Sequence, residues 1–176
     1  MSEKGPIQTL AELLRASNGH LSVSHDRFAR SAFYDPYYRI MIVALVLDVF
    51  GKEVASGQRS IHASRLKLFQ FIGSRPWLLE MIQEWSSTRR SGRFSVFSSQ
   101  RLRRGFLGDT THDRVVDLLV AHGVLIRAGG QLIASASGPL SSLSEMAISQ
   151  ELFTAERKAL SELSKVTVTN RMLEGE

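Results

Sequence analysis

The sequence predicts an α-rich α+β fold, and three observations carry that prediction. AFYDPYYRIMIVALVLDVFG, residues 32–51, is apolar nearly all round, as expected for a helix covered from several sides. VVDLLVAHGVLIRAGGQLIAS, residues 115–135, begins with helical spacing and turns at Gly123 into two short apolar runs joined by Gly-Gly. That is the signal of a tight hairpin. Residues 138–166 return to a three-to-four spacing of apolar side chains, which marks helix again. A short helix set directly against a two-stranded ribbon is the pattern of a winged helix. The expected architecture is therefore a winged-helix-like helical domain with a small β-hairpin wing and a C-terminal helix or helix pair. The expected divisions are an N-terminal arm over 1–30, the helical domain with its wing over 31–136, and a C-terminal helical segment over 137–176.

The elements follow in chain order. IQTLAELLRA (7–16) places Ile7, Leu10, Leu13 and Leu14 on one side of a short helix, which is marginal alone in water. Two readings stand: an arm ordered by docking on a partner, or a frayed tail. Asp35 suits a helix cap, Pro36 a first turn and Gly51 an end. GKEVASGQRS (51–60) reads as a loop. SRLKLFQFIGSRP (64–76) gives a helix capped by Ser64, with Leu66, Phe69, Phe71 and Ile72 inside. Arg65, Lys67 and Gln70 fall outside. Pro76 opens a third helix, with Leu78, Leu79, Ile82 and Trp85 inward and Trp77 flanking. The stretch 86–105 is rich in Ser and Arg, with RFSVF as a short strand. A helix from 111 is capped by Thr110 or Thr111, carries Asp113 in its first turn, and sets Val115, Leu118, Leu119 and His122 on one face. The hairpin and the helical tail follow, and VTNRMLEGE is a loose end.

Composition narrows the functional classes. The chain has 176 residues and no cysteine, which excludes disulfides and thiolate chemistry and fits a reducing compartment. The longest apolar run, IMIVALVLDVF, is broken by Asp48 and falls short of the ~20 residues of a membrane span. The N-terminus has no apolar signal core. The expected location is the cytoplasm. The five histidines, His20, His25, His62, His112 and His122, form no metal-ligand spacing. His112 beside Asp113 reads as capping and exposed polarity, and Glu80 with Glu84 as solvated carboxylates. No phosphate-cradling glycine loop and no nucleophile elbow occurs. The expectation is a non-catalytic protein with no cofactor and no metal.

Charge is concentrated. Residues 1–84 hold ten Lys/Arg against eight acids, 85–127 eight against three, and 128–176 four against six. The middle third carries Arg89, Arg90, Arg93, Arg101, Arg103 and Arg104, followed by Arg114 and Arg127. Guanidinium forks suit phosphate oxygens or an acidic protein face; the alternative is a solvated arginine surface. Contacts to DNA by such a cluster would go to the backbone rather than to base edges.

RIMIVALVLDVFG, then SRLKLFQFIGSRPWLLEMI, then a short helix, HGVLIRAGGQLIAS and a helical tail occur in that order. The succession resembles the middle component of three-component ABC/SMC-type anti-phage defence systems, the Lamassu type in particular. The likeness covers about 32–165, rests on hydrophobic patterns, and departs at Gln70, where an acid is expected. It implies a non-catalytic adaptor whose partners are an SMC-like ABC ATPase and an effector nuclease, with double-stranded DNA as a further partner through its backbone. The candidate contacts to protein are Leu10, Leu13, Leu14, Leu132, Leu152 and Phe153. The competing reading is a free-standing winged-helix regulator of transcription, which predicts a dimer and a recognition helix bearing base-reading side chains.

Overall fold

A computed structural model describes residues 35–55, 57–87, 100–166 and 168. It is an α-rich α+β structure of helices and a four-stranded antiparallel sheet. Helix α1 spans Pro36–Phe50. The Asp35 carboxylate accepts the Tyr37 N–H at 2.8 Å and Pro36 occupies the first turn, so both predicted start signals operate. Every residue from Arg39 to Leu47 is buried. An all-round apolar sequence demands neighbours on all sides, and α1 is the central post of the fold.

Gly51 ends α1 with an extended backbone, not a left-handed one. Its requirement is space: a Cβ here would lie 2.3 Å from the Leu47 carbonyl oxygen and 3.2 Å from the Arg59 Cβ. Gly51→Ala is expected to cost about 1–3 kcal/mol, the range for overpacking against atoms that cannot retreat. A fall in melting temperature checks this; an unchanged one overturns the steric account.

The segment expected as a loop is instead a hairpin. Strands β1 (Lys52–Ala55) and β2 (Gln58–His62) pair antiparallel, with Gly57 at φ +78° in the turn and an irregularity between Glu53 and Ala55. β2 is fixed by distant residues: Ile61 lies opposite Leu132 and Ser60 opposite Ile133. Long-range pairing of this kind leaves a weak local signal, which explains the missed strands. RFSVF, expected as a strand, lies outside the described residues.

Helix α2 (Ala63–Gly73) is capped by the His62 ring, whose Nδ1 accepts the Ser64 N–H at 3.4 Å. Helix α3 (Leu78–Ser87) buries Leu78 and Ile82 and leaves Trp77 exposed ahead of it. Helix α4 (Gln100–Leu107) sets the edge of Phe106 on Phe71, with ring centroids 5.4 Å apart. Helix α5 (Thr110–Ala121) leads through Gly123, at φ +68°, into the hairpin β3 (Ile126–Ala128) and β4 (Gln131–Ser135). Gly129 and Gly130 hold φ of +54° and +80° in its turn, as the two-glycine signal requires. The strand order is β1-β2-β4-β3. The turn is not free: Ala63 N–H donates to the Gly130 carbonyl at 2.9 Å, tying the ribbon tip to the start of α2.

The tail divides into α6 (Pro139–Ser149) and α7 (Thr154–Ser164). Glu151 and Phe153, both at φ +53°, make the corner. Both helices pack on α1 and share one apolar core with the preceding elements. Leu132, expected at a partner interface, is 0% exposed. The alternation places it on the same face as Ile61 and Ala134, against the body of the protein. Leu152 and Phe153, also expected at an interface, are half-buried on the protein's own core, where Phe153 meets the Tyr38 ring at 5.9 Å.

Candidate nucleic-acid or partner interface

The placement of α5 is controlled by a buried polar cluster. Arg39, 2% exposed, extends from α1 and pairs with Asp109 at 2.8 Å. Asp109 also caps α5 by accepting the His112 N–H at 3.1 Å. On α2, Gln70 donates its amide N–H to the Arg39 carbonyl at 3.0 Å. That bond orients the amide, so its oxygen faces His112 Nδ1 and accepts from it. Three helices are thus joined through one buried set of polar contacts. The sequence reading placed Gln70 outside, His112 on the surface and the cap at Thr110 or Thr111; all three are corrected. Gln70 is 0% exposed, His112 4% exposed, and the cap is Asp109. The signals for it were an arginine inside an otherwise apolar helix and an aspartate ahead of a helical run.

Burial pushes His112 down to about 4 from its ordinary 6.5, with the Lys67 and Arg39 cations adding to that and Asp113 and Asp109 opposing it. The ring is neutral at physiological pH and donates through Nδ1. Tyr38, a half-buried residue of α1, donates to the Glu156 carboxylate at 3.1 Å. Burial and then the Glu156 charge hold its phenol well above the usual range.

The outward side of α4 and α5 is where the predicted arginines can be judged. Arg103 and Arg104 are exposed on α4 and Arg114 on α5. Among the described residues, none of the three has an ion pair. The acids of this stretch are all engaged: Asp109 with Arg39, Asp113 with Lys67 at 3.2 Å, and Asp117 with Arg127 at 2.9 Å. Arg127 therefore spends its charge within the protein, while Arg103, Arg104 and Arg114 stay uncompensated. Arg89, Arg90 and Arg93 lie outside the described residues, as do Leu10, Leu13 and Leu14 and the side chain of Arg101.

Exposed apolar side chains occur on the same stretch of the chain. Leu107, at the end of α4, is 62% exposed, and Ile126 on β3 is 56% exposed. Leu118, expected on one face with Val115 and Leu119, is 43% exposed while those two are buried. The buried face of the helix is His112, Val115, Val116 and Leu119. Sequence reasoning missed Leu107 and Ile126 as surface residues because exposure of an aliphatic leaves no mark in the local pattern.

Among the described residues, no group of three or more His, Asp or Glu is arranged to hold a metal ion. No helix there is long and apolar enough to cross a membrane. The chain matches no family model, no curated protein and no solved structure.

Proposed function

We propose that the protein is a non-catalytic adaptor subunit. In this reading it links an SMC-like ABC ATPase to an effector nuclease in an anti-phage or anti-plasmid defence complex and helps the complex engage DNA. The observation that carries the reading is the α4–α5 segment. Three exposed arginines without acid partners sit there beside the exposed Leu107 and Leu118. Unpaired guanidinium groups attract an anion, and exposed aliphatics next to them favour a surface that is covered in use. The resemblance over 32–165 supplies the kind of complex.

The winged-helix description belongs to the same proposal. It is supported by β2, which follows α1 and the β1 turn and pairs with β4, and by α5, which leads directly into the β3–β4 ribbon. The free-standing regulator reading is weaker. On the exposed side of α5, Asp113 and Asp117 are paired with Lys67 and Arg127, which leaves Arg114 as the one described cation of that helix free to read a groove, too little for a recognition helix. The ribbon tip is also held on α2 and does not project as a free wing.

Two experiments test the proposal. Co-expression with an SMC-like ABC ATPase from the same genome should give a complex that survives size-exclusion chromatography. A chain that elutes alone overturns the adaptor reading. For the DNA contact, the slope of log K against log salt is measured on duplex DNA for the assembled complex. Each arginine that meets a phosphate contributes about 0.9 to that slope. Neutralising Arg103, Arg104 and Arg114 to Gln should flatten it by roughly 2–3. An unchanged slope assigns these arginines to a protein face.

A further inference from the structure

We infer that the groove between the last turns of α1 and α6 and the outer side of α7 is a docking site for an acidic amphipathic helix of a partner protein. The groove has a volume of about 410 Å³, at the low end of ligand cavities and suited to a few side chains. Leu45 and Leu160 are buried and form its floor, while Val49 and Ile148 are 38% and 46% exposed at its rim. Aliphatic side chains at helical spacing on an incoming segment fill such a floor and rim.

Charge complementarity selects the partner. Arg157 and Lys158 of α7 line the groove. Among the described residues neither has an ion pair; Arg157 makes only a long contact, 3.5 Å, to the Ala147 carbonyl. The acid in the lining, Asp48, is held by Arg59 at 2.6 Å and its charge is met. An apolar floor flanked by two unmatched cations is the inverse of a helix with a leucine stripe bordered by glutamates, and opposite charges fix its register. A nucleic-acid strand would match the cations but not the four aliphatics. The inference goes beyond the adaptor reading and does not depend on which protein supplies the helix.

The test uses the full chain and three synthetic peptides of equal length, followed by methyl NMR. The first carries leucines at i, i+3, i+4 and i+7 flanked by glutamates, the second the same stripe flanked by lysines, and the third the first peptide's residues scrambled off the helical face. The first alone should shift the Val49, Ile148 and Leu160 methyls. Ile148→Asp and Lys158→Glu, both at exposed positions, should each weaken it at least tenfold with melting unchanged. Equal binding of the lysine peptide, or binding of none, overturns the inference. So does broadening of the Ile148 methyl by a spin label on Leu13→Cys, which would give the groove to the chain's own arm. A concentration-dependent dimer that Ile148→Asp dissociates would give it to a second copy and overturns it equally. If the peptides fail while the ATPase complex survives, the groove is dismissed and the adaptor reading is untouched.

Discussion

Asp109→Ala is expected to cost about 3–5 kcal/mol, the range for breaking a buried ion pair by removing one partner. Two losses combine. The Arg39 guanidinium, 2% exposed, keeps its charge but loses the carboxylate 2.8 Å away. The His112 N–H at the start of α5 loses its acceptor, and a lost cap is typically worth ~1 kcal/mol. Folding free energies are only ~5–15 kcal/mol, so this one side chain controls a large part of the margin. The two losses are separable. Asn caps helices as well as Asp, so Asp109→Asn should recover the cap share and leave the charge share lost. Arg39→Met with Asp109→Leu removes both charges, a replacement often near neutral for the pair itself, and should leave only the cap share lost. Urea midpoints at constant m-value measure all of these. An Asp109→Ala protein within about 1 kcal/mol of the parent would overturn the claim that this pair holds α5 to α1.

The same pair shows where the sequence could be read and where it could not. Local chemistry was legible. Asp35, Pro36 and the Gly129–Gly130 turn each act through neighbours a few residues away, and each stands as expected. The all-round apolar run of α1 required a central helix, and one is present. Features made by distant partners were not legible. β2 owes its place to β4, some seventy residues on. Gln70 is a surface residue by its neighbours and an interior one because Arg39 and His112 meet it. The candidate site divides in the same way. The concentration of arginine was plain from composition, and Arg103, Arg104 and Arg114 are exposed as that reading needs. That Arg127 is neutralised by Asp117, and that Leu132 lies inside, depends on a helix turn and a strand face that spacing alone does not fix. The groove of α1, α6 and α7 was invisible because its walls come from segments about a hundred residues apart.

Acidification should loosen the protein above the range where carboxylates titrate, and His112 is the cause. Its ring is pushed down to about 4 by burial, against 6.5 when exposed. In the unfolded chain the imidazole takes up a proton first as pH falls, so protons favour unfolding between these values. The stabilisation is complete above pH 6.5 and is lost as pH drops toward 4. A shift of this size corresponds to roughly 3 kcal/mol in all, of which about 2 kcal/mol goes between pH 7.5 and pH 5. Glutamine at 112 carries no titrating proton, so His112→Gln should lower stability at pH 7.5 and flatten its dependence down to pH 5. The contrast between the two proteins is the measurement, because every other titrating group is common to both. Parallel curves would mean that the neutral ring is not what keeps Gln70 in place. The consequence reaches the exposed arginine too. His112 lies two residues before Arg114 on α5, and a charged ring expelled from beside Gln70 would carry the first turn of that helix with it. On the proposed reading, binding through Arg114 should therefore weaken as pH falls from 6.5 toward 4, and His112→Gln should remove that dependence.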